Sequence, residues 1–209
     1  MKYALYGFDL NGTLIDTMKR DYSTECKVVR RLGGRPPSMQ EFRNNVGVIS
    51  WKEYYATFGV EDWRKAWDVF FSLDARLNSK NKSTPQAKKV LVTLASAKKP
   101  VFLVTMSEIS SVYKHLRNTG LDTFFNEQNI YCATDSKCYE IMAACKKTGI
   151  EPAQTIFTGD TVKDIISAKA AGAVSVGIAN DLYSYNPHHI IIAEKPDHVI
   201  TRLEELLRL

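Results

Sequence analysis

Six polar side chains fall just beyond short apolar runs: Asp9 and Asn11, then Thr105, Lys137, and finally Asp160 and Asp164. Each apolar run reads as a buried strand, so each polar group would be carried to a strand end. The clearest case is the first. Tyr3, Ala4, Leu5, Tyr6 and Phe8 end on Asp9 and pass straight into Asn11-Gly12-Thr13. Asn-Gly is turn chemistry, because glycine accepts a positive φ at no steric cost. A carboxylate therefore meets the backbone N–H groups of a tight turn. One such residue is equally well explained as a turn cap. Four successive strand ends that together supply three carboxylates and one amine are not a set of unrelated caps. In open α/β sheets, ligand sites lie outside the carboxyl ends of the strands.

The elements that must hold these groups can be read in order. Tyr22, Cys26, Val29 and Leu32 recur at helical steps until Gly33-Gly34, and Arg35-Pro36-Pro37 is a rigid connector. Ser38 and Glu41 have the spacing of a capping box that opens a second helix. Trp63, Trp67, Phe70 and Phe71 form an aromatic stripe, read as core. No strand is expected between residue 17 and about residue 81, and residues 78–84 have polar linker composition. From Pro85 onward, helices alternate with buried strands at residues 101–105, 130–132, 155–158 and 174–178. Gly120, Gly149 and Gly172 stop three of those helices, Pro187 opens a short one carrying His188 and His189 at its surface, and Thr201 to Glu204 read as the cap of the last. Such alternation is the pattern of a parallel sheet wound by helices. The expected architecture is an α/β, Rossmann-like core made of residues 1–16 and 83–209, with residues 17–82 inserted as a helical cap.

Composition narrows the class. The chain has 209 residues, 44% hydrophobic and 24% charged, as in ordinary globular proteins. A net charge of +5, spread along the chain, favours an anionic ligand mildly and is too diffuse for nucleic acid. No apolar run approaches a membrane span, and Asp9 interrupts any signal-peptide core. Cys26, Cys132, Cys138 and Cys145 fit neither a zinc site nor a redox pair, so reduced thiols and a cytoplasmic location are expected.

With these residues in place, the chain resembles the haloacid dehalogenase-like hydrolase superfamily. FDLNGTLID is similar to its first motif, D-x-D-G-T, LVTMS to its second through Thr105, Lys137 to its third, and GDTVKD to its fourth. The helical insert between the first and second motifs is similar to that of phosphoglycolate phosphatase-like and β-phosphoglucomutase-like members. The resemblance implies a Mg²⁺-dependent hydrolase acting on a small phosphate ester. Asp9 would be the nucleophile that becomes an aspartyl-phosphate. Mg²⁺ would be held by Asp9, the Asn11 carbonyl, Asp160 and Asp164, Asp164 binding directly or through waters. Lys137 would neutralise the phosphoryl oxygens and the nucleophile. Thr105, Ser107 and the turn at Gly12 and Thr13 would hold the phosphoryl group. Arg43, Trp51 and Lys52 of the insert are candidates for selecting the leaving group.

One residue departs from the family pattern. Asn11 stands where phosphatases of this family have a second Asp, which protonates the leaving oxygen and then activates water. An amide does neither near pH 7. A slow or differently assisted phosphatase, a phosphoryl-binding regulatory module without turnover, and an Asp-to-Asn exchange made to trap a complex all fit this residue. A 2-haloacid dehalogenase also lacks the second Asp. It needs no metal, however, so the paired acids Asp160 and Asp164 count against it.

Overall fold

Strand β1 (Leu5–Phe8) is buried along its whole length. The computed structural model describes residues 2–77 and 81–209. After β1 come the two-residue strand β2 (Ile15–Asp16) and helices α1 (Met18–Arg31), α2 (Met39–Asn45), α3 (Trp51–Thr57) and α4 (Trp63–Leu77). A second short strand, β3 (Lys82–Ser83), precedes helix α5 (Ala87–Ser96). The chain then alternates: β4 (Val101–Thr105), α6 (Ile109–Thr119), β5 (Ile130–Cys132), α7 (Cys138–Thr148), β6 (Thr155–Gly159), α8 (Val162–Ala170) and β7 (Val174–Ile178). It ends with α9 (His188–Ala193), β8 (His198–Ile200) and a 3-10 helix, Leu203–Arg208.

The six longer strands form one parallel sheet in the order β5-β4-β1-β6-β7-β8. Side chains of β1 alternate across it. Tyr6 and Phe8 pack with Leu91, Leu94 and Leu103 on one face, and Leu5 packs with Phe102 and Phe157 on the other. A strand buried on both faces is expected to be apolar throughout, which is why these runs were readable. Register sets the site. Phe8 lies opposite Leu103 of β4 and Thr158 of β6, so Asp9 emerges between the ends of both neighbours.

The insert α1–α4 packs around its own apolar cluster, which includes Val28, Val29, Phe42, Tyr54, Tyr55 and Phe58. Its two crossings to the sheet domain are zipped together. β2 pairs antiparallel with β3, and Thr84 adds bonds from its N–H to Leu14 O (2.9 Å) and from its hydroxyl to Thr13 O (2.7 Å). The polar stretch read as linker therefore carries a strand at Lys82–Ser83, while residues 78–80 of it lie outside the described residues. Pairing between positions so far apart leaves no local signal in a two-residue strand.

Other boundaries move for local reasons. Helix α5 starts two residues after Pro85, because Gln86 takes a left-handed φ of 65°. Helix α3, opened by a Ser50–Glu53 capping box, and strand β8 were not expected. The last helix is 3-10, and Glu205 rather than Glu204 accepts from the Arg202 N–H at 2.9 Å. The Ser38–Glu41 capping box and the left-handed stops at Gly120 and Gly149 stand where expected.

Candidate active site

Lys137 is the hub of the site. It caps α7, and its own N–H is fixed by Ser167 Oγ of α8 at 3.1 Å. Its ammonium donates to Asp9 Oδ1 and, at 2.6 Å, to Asp164 Oδ1, with only 4% of the residue exposed. Asp164 is held from its other side, where the Thr161 N–H (2.9 Å) and hydroxyl (2.6 Å) donate to Oδ2 in the capping box that starts α8. Asp160 is fully buried. Thr13 Oγ1 donates to one oxygen at 2.9 Å and the Tyr185 N–H to the other at 2.6 Å. Glycine is required twice in this packing. A Cβ on Gly12, at φ 79°, would overlap the Asp160 carboxylate and lie 2.6 Å from the Tyr185 ring. One on Gly159 would overlap the Asp164 carboxylate.

The carboxylates of Asp9, Asp160 and Asp164 each bring an oxygen within 4.8 Å of the others. Three buried acids face one ammonium, and this imbalance bears on Asp9 and Asp160. Burial pushes Asp9 up to about 6 despite Lys137, with Asp164 adding to the rise. Burial, then Asp9 and Asp164, hold Asp160 well above the usual carboxylate value against the bonds from Tyr185 and Thr13. Burial alone would lower Lys137, but Asp164 and Asp9 outweigh it and hold the ammonium above its usual range. A divalent cation would remove this imbalance, and an all-oxygen donor set suits a hard ion such as Mg²⁺.

Thr105 is buried at the end of β4, and its hydroxyl accepts from the Ser107 N–H at 3.1 Å. Ser107 Oγ in turn accepts from Asn11 Nδ2 at 2.9 Å, which leaves Asn11 Oδ1 buried with no partner among the described residues. Asn11, Thr105, Ser107, Lys137 and both Asp9 and Asp164 line one cavity of about 160 Å³. Gly12 and Thr13 lie behind this surface. The Gly12 N–H is bonded to Ile15 O at 2.7 Å, and Thr13 orients Asp160.

The far wall comes from the insert: Asp21 and Glu25 of α1, Trp51 of α3, and Trp67, Phe70 and Phe71 of α4. The aromatic stripe read as core is thus shared, half-buried against the cluster of the insert and open to the cavity on its other side. Of the three insert residues expected to meet the leaving group, only Trp51 lines the cavity. Arg43 instead reaches to Tyr185 O (3.2 Å) and Asp181 (3.3 Å), and Lys52 is exposed. Sequence reasoning missed Asp21, Glu25 and Tyr185. Met18, Asp21, Glu25 and Val28 follow one another at three- and four-residue steps, beside the apolar line Tyr22, Cys26, Val29, and that adjacency was the available signal for the two acids. Tyr185 had none. Its hydroxyl donates to Asp21 Oδ2 and lies 2.8 Å from Thr17 Oγ1.

A parallel α/β sheet with a buried acid cluster at its carboxyl edge is a scaffold for binding at the strand ends, and comparison with known proteins gives it a family. The profile of haloacid dehalogenase-like hydrolases matches residues 7–178. A phosphoglycolate phosphatase of Haemophilus influenzae (strain 86-028NP) is 27% identical over 227 residues, covering 99% of this chain and 97% of the relative. One from Pasteurella multocida (strain Pm70) is 30% identical over 223 residues, covering 99% and 97%. A haloacid dehalogenase-like family hydrolase from Streptococcus pneumoniae shares the fold with a TM-score of 0.85 at 22% identity, covering 99% of this chain and 98% of that one. The chain belongs to the haloacid dehalogenase-like hydrolase family. Within it, the chain falls in the phosphoglycolate phosphatase-like group and is a hydrolase of the phosphatase type. Among the described residues no helix is long and apolar enough to cross a membrane.

Proposed function

We propose that this hydrolase cleaves phosphate monoesters of small metabolites with the help of Mg²⁺, through an aspartyl-phosphate on Asp9. The observation that carries the reading is the Lys137 ammonium joined to both Asp9 and Asp164 at the floor of the cavity. Asp9, Asp160 and Asp164, with the Asn11 carbonyl, would hold the ion, which when bound supplies charge to offset the phosphoryl group. Lys137 keeps Asp9 ionised and oriented for attack on phosphorus. Thr105 and Ser107 offer hydroxyls to the phosphoryl oxygens. The P–O bond to the leaving alcohol breaks as the bond to the Asp9 carboxylate forms, and water then attacks the acyl phosphate.

Asn11 makes those two steps unequal. A good leaving group departs with little protonation, whereas water still needs a base. Loss of general acid–base help slows a step by roughly 10² to 10⁴. With p-nitrophenyl phosphate we expect a burst of about one product equivalent per site followed by a slow phase, as the unassisted second step implies. Intact-protein mass spectrometry should find one added phosphoryl group, absent in Asp9→Asn. Asn11→Asp should abolish the burst and raise the steady rate. A linear time course without phospho-protein, unchanged by Asn11→Asp, refutes this role for position 11. A second reading, a phosphoryl-binding module without turnover, is favoured by the same residue, since its amide is fixed by Ser107 and moves no proton. Metal and phosphate binding with no hydrolysis of any ester would select it.

A further inference from the structure

Trp67, Phe70 and Phe71 fall at i, i+3 and i+4 of α4, so their rings stand on one helix face. That face lines the cavity over Asp9, and Trp51 of α3 joins it there. Trp51, Trp67 and Phe71 form a chain, with neighbouring centroids 5.8 Å apart and edges set to faces. None of the four rings is fully covered by protein. Covering the rest of this apolar surface is favourable in proportion to its area, and packing ring on ring adds to that.

The charges of the cavity lie at its other end or are already answered. Lys137 and Lys163 both come from the sheet domain, beside Asp9 and Asp164. Asp21 is paired with Arg20 at 2.6 Å and accepts from the Tyr185 hydroxyl. Glu25 accepts from the Tyr55 hydroxyl with both oxygens, at 3.0 Å each. Burial above all pushes it up to about 8, so this carboxyl keeps its proton near neutral pH. Among the described residues, no lysine or arginine of the insert lines the cavity. A charged leaving group would give up water at this end for a wall of rings.

Asn11 selects independently. Its amide protonates no departing oxygen, so the leaving group must carry the electron pair unaided. A phenol, like tyrosine, ionises near pH 10, as is usual for that group. An alkyl alcohol holds its proton about as firmly as bulk water, to about pH 16. An oxygen joined directly to a ring is therefore much the better leaving group. The cavity measures about 160 Å³, and one of about 150 Å³ takes a benzene ring.

We propose that the preferred substrate is the phosphate monoester of a one-ring phenol, its ring seated against Trp51, Trp67, Phe70 and Phe71. The inference rests on the phosphatase reading, since it gives the far end of the cavity to the leaving group. The bond from phosphorus to the aryl oxygen breaks as the bond to Asp9 forms. The electron pair leaves with that oxygen as an aryl oxide, which then takes its proton from water.

Phosphonates with carbon for the bridging oxygen report binding without cleavage. Isothermal titration of the full chain with Mg²⁺ compares benzylphosphonate, the analogue of phenyl phosphate, with ethylphosphonate, cyclohexylmethylphosphonate and the carboxylate-bearing 3-phosphonopropionate. Benzylphosphonate should bind about tenfold or more tighter than ethylphosphonate, from the apolar area it covers. It should bind at least as tightly as the puckered cyclohexyl analogue and tighter than 3-phosphonopropionate. Phe71→Ala should cut the benzyl-to-ethyl ratio at least about threefold and leave ethylphosphonate binding within about twofold. Equal binding of the benzyl and ethyl analogues, tighter binding of the cyclohexyl one, or 3-phosphonopropionate binding as tightly as benzylphosphonate, overturns the proposal without any variant. In rapid-quench experiments, phenyl phosphate should phosphorylate Asp9 about 10²-fold or more faster than benzyl phosphate, which carries the same ring on an alkyl oxygen. Equal rates overturn the assignment to a phenol. Turnover of p-nitrophenyl phosphate with no ring preference in the titrations refutes this inference alone. A ring preference with no turnover of any ester refutes the phosphatase reading and leaves the seat.

Discussion

Glu25→Gln should stabilise the protein, and by an amount that depends on pH. In the folded chain burial lifts this carboxyl from the usual 4.5 to about 8. Below pH 4.5 both folded and unfolded chains hold the proton, so the glutamate costs nothing extra. As pH rises the unfolded chain releases it first, and the folded state, which binds more protons, loses stability until about pH 8. Each pH unit of that gap is worth about 1.4 kcal/mol. The gap limits the loss to about 5 kcal/mol above pH 8, and to about 3 kcal/mol at pH 7. Glutamine removes the titration and keeps an oxygen for the Tyr55 hydroxyl, now 3.0 Å from both carboxylate oxygens. For a chain of this size 1 kcal/mol moves Tm by about 2–4 °C, so a gain of up to about 6–12 °C is expected at pH 7. The assay is a set of paired thermal melts by circular dichroism from pH 4.5 to 8.5, without phosphate esters. Other titrating groups are common to both proteins, so the difference isolates position 25. A difference that stays flat across this range, or a variant less stable at pH 8 than at pH 5 relative to wild type, refutes the reasoning. A side chain that destabilises the empty protein while lining its cavity has the profile of one kept for a ligand.

Three further outcomes are expected. Mg²⁺ at about a hundred times its Kd should stabilise the native state by about 2.7 kcal/mol, and Asp160→Asn should lose most of that gain in melts with and without the ion. Gly12→Ala places a Cβ at φ 79° against Asp160, and it should cost at least about 1–2 kcal/mol in urea unfolding and blunt the Mg²⁺ response. Tyr185→Phe removes the hydroxyl shared with Asp21 and Thr17, and should cost about 1–3 kcal/mol by the same assay; no change would mean that water replaces it freely.

The sheet was legible because its strands are buried on both faces. Such strands must be apolar from end to end, so the polar residue after each run stood out, and Asp9, Thr105 and Asp160 all lie at strand ends. Lys137 follows a strand with only one buried residue, Ile130, and needed the motif order to single it out. The insert was legible as helices but not as a wall. Acids spaced as Asp21 and Glu25 are usually on a solvated helix face, and only the packing of α1 against α3 and α4 buries them. Arg43 had the chemistry of an anion contact, yet its reach to Tyr185 O and Asp181 depends on a loop 138 residues away. β2 and β3 were invisible for the same reason, since two residues carry no period.

Tyr185 belongs to neither end of the cavity and is bonded to both. Its N–H holds Asp160 at 2.6 Å, and its hydroxyl holds Asp21 at the opposite wall. Asn186 beside it ties the same loop to the Arg43 and Val46 carbonyls of the insert, at 2.8 Å each, and to the Val162 N–H of α8 at 2.9 Å. The loop is thus a hydrogen-bonded strut between the place where an ion would be held and the place where the leaving group would rest. A ligand that displaced Asp21 would be expected, through this ring, to shift the same residue's amide at Asp160. Linkage then works in both directions: whatever factor by which the ion tightens the grip on one part of the substrate, the substrate returns to the ion. Cutting the strut at its hydroxyl should leave each end able to bind and make the two deaf to one another.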